Sequence, residues 1–92
     1  MYVILVYDIA KDENGAKAWR RIYSISKQYL HHVQNSVFEG ELTESGIVKL
    51  RAELKQWIRD DLDSVLLFKS SGSRWLKKEV WGKEDKATSN FL

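Results

Sequence analysis

The sequence predicts one α+β domain, residues 1–92, with two helices lying on one face of an antiparallel sheet. Three observations lead there. Apolar runs at 2–8 and 64–69 read as buried strands, two helical stripes lie between them, and a β-rich stretch separates the stripes. The composition agrees, since 43% hydrophobic and 30% charged residues belong to a globular chain rather than a disordered one. With no cysteine, a disulfide framework and a thiolate metal site are excluded. No segment has the order of a signal peptide or the length of a bilayer span, so a cytoplasmic protein without membrane contact is expected. A net charge of +2 and a pI near 8.9 hint at a polyanionic partner without requiring one.

Each element has its own justification. Residues 2–7 are apolar and rich in β formers and the run stops on a carboxylate, with Tyr2, Ile4, Val6 and Asp8 on one face and Val3, Leu5, Tyr7 and Ile9 on the other. Asp8 closes this strand, either as a site for chemistry or as the polar residue that opens the next turn. Polar residues 11–15 then supply a helix start, and Ala18, Ile22, Ile25 and Tyr29 recur at helical spacing with Trp19 and Ser26 beside them. One amphipathic helix over about 14–30 follows, with Lys17, Arg20, Arg21, Lys27 and Gln28 on its other side. The β-rich stretch 31–42 reads as two strands, about 31–34 and 36–42, joined at Asn35 and Ser36, or as one sharply bent strand. His31 and His32 make no zinc pair, because neighbours on a strand point to opposite faces.

Thr43 and Glu44 offer a cap and a first-turn acid for a second helix. Its stripe is Ile47, Leu50, Leu54, Trp57 and Ile58, ending near Arg59. Arg51, Lys55 and Arg59, four apart, are expected on one exposed side, as a solvated face or as a row that tracks phosphates. After Asp60-Asp61-Leu62-Asp63 comes the strand 64–69, apolar on both sides. Ser70, Ser71 and Gly72 turn the chain into a further short strand over 74–81, followed by a polar tail that closes on Phe91-Leu92.

The order strand, helix, strand, strand, helix, strand gives a ferredoxin-like βαββαβ plan with an extra C-terminal strand. Both helices then cover one face, yet the strands are apolar on both. A second copy in a two-fold homodimer is expected over the open face, with Phe91-Leu92 pairing across to the partner sheet. If Asp8 faces the dyad, two carboxylates meet there, a ligand set suited to magnesium.

Several stretches resemble one family. They are the opening strand to Asp8, Arg20-Arg21, the run Val33-Gln34-Asn35-Ser36-Val37-Phe38-Glu39-Gly40-Glu41-Leu42-Thr43, and Asp63-Ser64-Val65. Together they are similar to the small CRISPR-associated adaptation nucleases, the second of the two near-universal Cas families. The resemblance runs from Met1 to about Lys69 and is loose beyond Ser70. It implies a ferredoxin-like homodimer in which Asp8 of each chain binds Mg2+, and a metal-dependent endonuclease acting on single-stranded RNA or duplex DNA. It also implies a place in spacer acquisition, as the central dimer held between copies of the CRISPR integrase subunit, where the nuclease chemistry is dispensable.

For the enzyme, Arg20 and Arg21 are expected to neutralise backbone charge or the leaving oxygen, with Tyr7, Ser36 and Phe38 as second-line candidates. Tyr7 and Phe38 are more simply core or interface residues. For the scaffold, Arg51, Lys55, Arg59, Arg74, Lys77 and Lys78 are expected to grip duplex phosphates without reading sequence. A ferredoxin-like toxin nuclease outside any CRISPR system is a third reading, because fold alone does not fix function.

Overall fold

The structure is a computed structural model that describes residues 1–71 and 79–82. Its elements are β1 (Tyr2–Asp8), α1 (Gly15–Tyr29), β2 (His31–Gln34), β3 (Val37–Glu41), α2 (Glu44–Lys55) and β4 (Ser64–Ser70). The strands form one sheet in the order β2-β3-β1-β4, and all three pairings are antiparallel. This is the expected ferredoxin-like arrangement.

Strand alternation decides what each face carries. Leu5 lies opposite Phe38 on one side and Leu67 on the other, and this row faces the helices. Ile4 lies between Glu39 and Phe68, so that row faces away from them. The core forms on the helix side, where Val3, Leu5, Tyr7, Ile22, Phe38, Leu50 and Leu54 are all buried. Gly15, Ala18, Ile22 and Ser26 are the buried residues of α1, three or four apart. Ser26, expected beside the stripe, lies at its buried centre, whereas Ile25 and Tyr29 are half-buried. In α2 the Thr43 Oγ1 accepts from Gly46 N at 3.0 Å, capping the helix as its sequence predicts.

Of the two readings of the β-rich stretch, two strands joined at Asn35 and Ser36 is the one observed, a hairpin with Asn35 at φ 42°, a left-handed conformation that asparagine tolerates. One expectation changes. The second helix ends at Lys55, not near Arg59. Its next turn is irregular, and the Arg59 N–H donates to Asp63 Oδ2 at 2.9 Å instead of to a helical carbonyl. A side chain has outcompeted the helix for that donor.

On the open face Leu66 and Phe68 are more than half exposed. Tyr2 and Glu39 are buried on that face, and burial together with the Glu39 carboxylate holds the Tyr2 phenol above its ordinary pKa. Of the strand expected over 74–81, residues 79–81 carry no regular structure, and the remainder lies outside the described residues, as does Phe91-Leu92. No helix among the described residues is long and apolar enough to cross a membrane.

Candidate nuclease site

Asp8 ends β1 on the face turned away from the helices, opposite Ser64 of β4. It is exposed, and its side chain makes no hydrogen bond or ion pair with the described residues. One position before Ser64 is a second carboxylate with the opposite character. The Asp63 side chain is fully buried, and each of its oxygens accepts twice. Oδ1 accepts from Ala10 N at 2.9 Å and Arg59 Nη2 at 3.0 Å, while Oδ2 accepts from Arg59 N at 2.9 Å and Nε at 3.0 Å. Chiefly through the Arg59 hydrogen bonds, its pKa is pulled down to about 2.

Arg59 is equally committed. Besides Asp63, its guanidinium donates to the Ala10 carbonyl at 3.0 Å and to Asp12 Oδ1. Saturated by four donors, Asp63 has no lone pair left for a cation. No group of three or more His, Asp or Glu residues placed to hold a metal exists among the described residues. Among the described residues, one chain therefore presents at the end of β1 a single unengaged carboxylate, that of Asp8.

The other sequence candidates divide. Arg20 and Arg21 are exposed on α1, which covers the sheet face opposite to the one Asp8 occupies. The Arg21 guanidinium lies 5.1 Å from the centre of the Trp57 ring, with Lys17 Nζ at 5.8 Å from the same ring. Lys17, Arg20, Arg21 and Ser24 line one shallow cationic pocket, and within a chain the structure does not bring them to Asp8.

Arg51 and Lys55 are exposed on α2 and line, with Lys69 of β4, a groove of about 500 Å3. Arg59 does not extend their row. It sits beyond the helix with its charge shared between two carboxylates, because the helix stops short of it. Arg74, Lys77 and Lys78 lie outside the described residues.

Tyr7 and Phe38 belong to the core, with ring centroids 6.1 Å apart. Burial pushes the Tyr7 phenol up to about 12, and its hydroxyl has no hydrogen-bond partner. Ser36 sits in the hairpin turn, where its carbonyl accepts from Tyr7 N at 3.1 Å. His32 packs against Tyr23 and Phe38, its Nε2 donating to the Asn35 carbonyl at 2.8 Å. The role of Asp63 was the feature sequence reasoning missed; its signal was Arg59 and Asp63 four apart ahead of a strand.

With this fold and this lone strand-end acid in view, comparison with known proteins is decisive. The family model of CRISPR associated protein Cas2 matches residues 1–78. The chain belongs to the Cas2 family. It is 55% identical over 92 residues to a CRISPR-associated endoribonuclease Cas2 of Fusobacterium nucleatum, covering the whole chain and 87% of that relative. A Methanosarcina acetivorans protein of the same description is 35% identical, with both chains covered in full.

Among solved structures, one described as a crystal structure of Cas2 matches with a TM-score of 0.80 at 36% identity, covering 94% of this chain and 91% of that one. Streptococcus pyogenes Cas2, crystallised at pH 6.5, matches with a TM-score of 0.74 at 27% identity, covering 87% and 99%. The family assignment makes this chain a CRISPR-associated nuclease by kinship. The ferredoxin-like fold is common to the Cas2 structures it matches.

Proposed function

We propose that this Cas2 protein is a magnesium-dependent endonuclease that cuts RNA at a site built from the Asp8 carboxylates of two copies. The observation that carries the reading is the contrast between the two neighbouring acids. Asp63 is closed by four donors, and Asp8 is open, at the end of a central strand, on the face where Leu66 and Phe68 stand exposed. A two-fold dimer formed through that apolar face would supply the second Asp8 that one chain lacks.

The donor set fits a hard cation: carboxylate oxygens, no sulfur and no imidazole alongside, with room for water ligands at an exposed strand end. When bound there, magnesium supplies a water of lowered pKa and charge stabilisation at the phosphate. The residues of this chain hold and orient. The two Asp8 side chains would hold the cation at the dyad, and with it the place where a phosphate can be cut. Lys17, Arg20 and Arg21, on the opposite layer of their own chain, act on phosphates away from the cut rather than on the leaving oxygen. RNA is the preferred substrate because the relatives are named endoribonucleases; duplex DNA is the other class.

A second reading is the non-catalytic scaffold of spacer integration, held by the integrase subunit. The exposed Arg51, Lys55 and Lys69 around one groove on the helix side of the sheet favour it, on the face opposite to the one Asp8 occupies. Cleavage of labelled single-stranded RNA and duplex DNA separates the two, using wild type and Asp8→Ala, with magnesium or chelator, once both proteins are seen to be dimers. Magnesium-dependent cleavage that vanishes in a dimeric Asp8→Ala protein supports the enzyme. Salt-sensitive duplex binding by both, with cleavage by neither, supports the scaffold.

A further inference from the structure

We propose that Arg59 and Asp63 are positioning residues for Asp8, forming a brace that fixes the chain just after it and so aims its carboxylate; this rests on the reading of Asp8 above. The brace begins where the sheet ends. Asp8 and Ser64 are the last paired residues of β1 and β4. Two residues further on, both backbone groups of Ala10 are taken by side chains. Its N–H donates to Asp63 Oδ1 at 2.9 Å, and its carbonyl accepts from Arg59 Nη2 at 3.0 Å. A carboxylate and a guanidinium thus stand in for the next rung of the ladder, without adding another strand over the acid.

The same guanidinium reaches the far side of the turn. Arg59 Nη1 donates to Asp12 Oδ1, the oxygen that also accepts Asn14 N at 3.0 Å just before α1 begins. The turn is closed against the helix too, since a Cβ on Gly15 would fall 2.2 Å from the Ala10 carbonyl oxygen. One planar donor fork therefore ties the end of β1, the turn and the approach to β4 together. Asp8 itself remains outside these bonds, with its carboxylate unbonded among the described residues and its backbone held on one side by the β4 pairing and on the other by the brace.

Two copies of Asp8 must converge on one ion, so any wobble in the strand end enters twice. Side chains that orient a metal ligand in this way are worth about 10–100-fold in metal affinity or activity. The brace should therefore act on the metal concentration needed for cleavage rather than on the rate once metal is saturating.

The test uses the full chain as a dimer, with Mn2+ binding and magnesium-dependent cleavage of labelled RNA as readouts and thermal unfolding alongside. Arg59→Gly is expected to weaken Mn2+ binding and raise the half-saturating magnesium by about 10–100-fold, with saturated cleavage close to wild type. Added guanidinium ion is expected to restore metal affinity, while Arg59→Lys, lacking the fork, stays impaired. If Arg59→Gly does not fold, Asp12→Asn, an exposed member of the brace, should shift the metal requirement the same way by less. Wild-type metal dependence in the folded brace variant, or a lowered Tm alone, overturns the proposal. If Asp8→Ala loses metal binding and cleavage while the brace variant keeps both, only the brace falls. If Asp8→Ala binds Mn2+ and cuts like wild type, or wild type does neither, the Asp8 reading falls and the brace with it.

Discussion

The two faces of the sheet begin from the same alternation of apolar residues and end differently. On the helix side, Leu5, Phe38 and Leu67 share a row, and Phe38 is completely buried, with Tyr23 of α1 packed on its ring. On the other side, Ile4 and Phe68 share a row, and Phe68 is 58% exposed. The chain supplies helices for one face only. Equal hydrophobicity in the sequence therefore means core in one place and exposed apolar surface in the other, and topology alone decides which.

The sharpest test of that contrast is a matched pair of truncations. Phe38→Ala should cost about 3–5 kcal/mol in denaturant unfolding, because it opens a cavity in a closed core. Phe68→Ala should change the stability of the monomer by no more than about 0.5 kcal/mol, and its effect should appear in self-association measured by sedimentation. Equal losses from the two variants would mean that the faces are closed alike.

Next in size is Asp63, at the edge where the two faces meet. Asp63→Asn should cost about 1.5–3 kcal/mol at neutral pH, through hydrogen bonds made to a charged carboxylate. Its pKa lies near 2 in the folded chain and near the ordinary carboxylate value when unfolded, so the unfolded state binds the proton more readily. The advantage of wild type is then whole above about pH 4 and fades as pH falls towards about 2. Unfolding curves of the two proteins across that range should converge. Gly15→Ala, which drives a methyl into the Ala10 carbonyl, should cost about 1–3 kcal/mol by thermal or denaturant unfolding. Arg21→Ala should be mildest, about 0.5–1 kcal/mol for the guanidinium laid on Trp57, and dimer affinity should stay unchanged because α1 is remote from the open face.

Most of the architecture was legible because periodicity reports burial directly. The strand parity that set Leu5 and Asp8 on opposite faces held, as did the stripe Ile47, Leu50 and Leu54. What escaped was competition between partners. Arg59 continues the spacing of Arg51 and Lys55 perfectly well on paper, but spacing cannot show that Asp63 takes its N–H and guanidinium and ends the helix early. Arg20 and Arg21 looked close to Asp8 along the chain. The crossover that carries α1 onto the other face separates them, a consequence of combining topology with parity rather than of either alone. The site itself was readable only as a position: Asp8 at a strand end was visible, whereas its being unengaged emerged from where Asp63 spends its lone pairs.

The central place of β1 also governs how the molecule comes into being. Of the four strands of the sheet it comes first along the chain, and it finds both of its neighbours much later, β3 after a helix and one strand, and β4 only when Ser64–Ser70 arrives. Its most distant pairing joins Tyr2 to Ser70, so a large loop must close before that contact repays its entropy. On the ribosome the apolar opening segment waits with nothing to cover it. A nascent chain halted before Ser64 would hold β1 against β3 alone, one edge bare, and the strand that carries Asp8 would be the last part of the sheet to be finished.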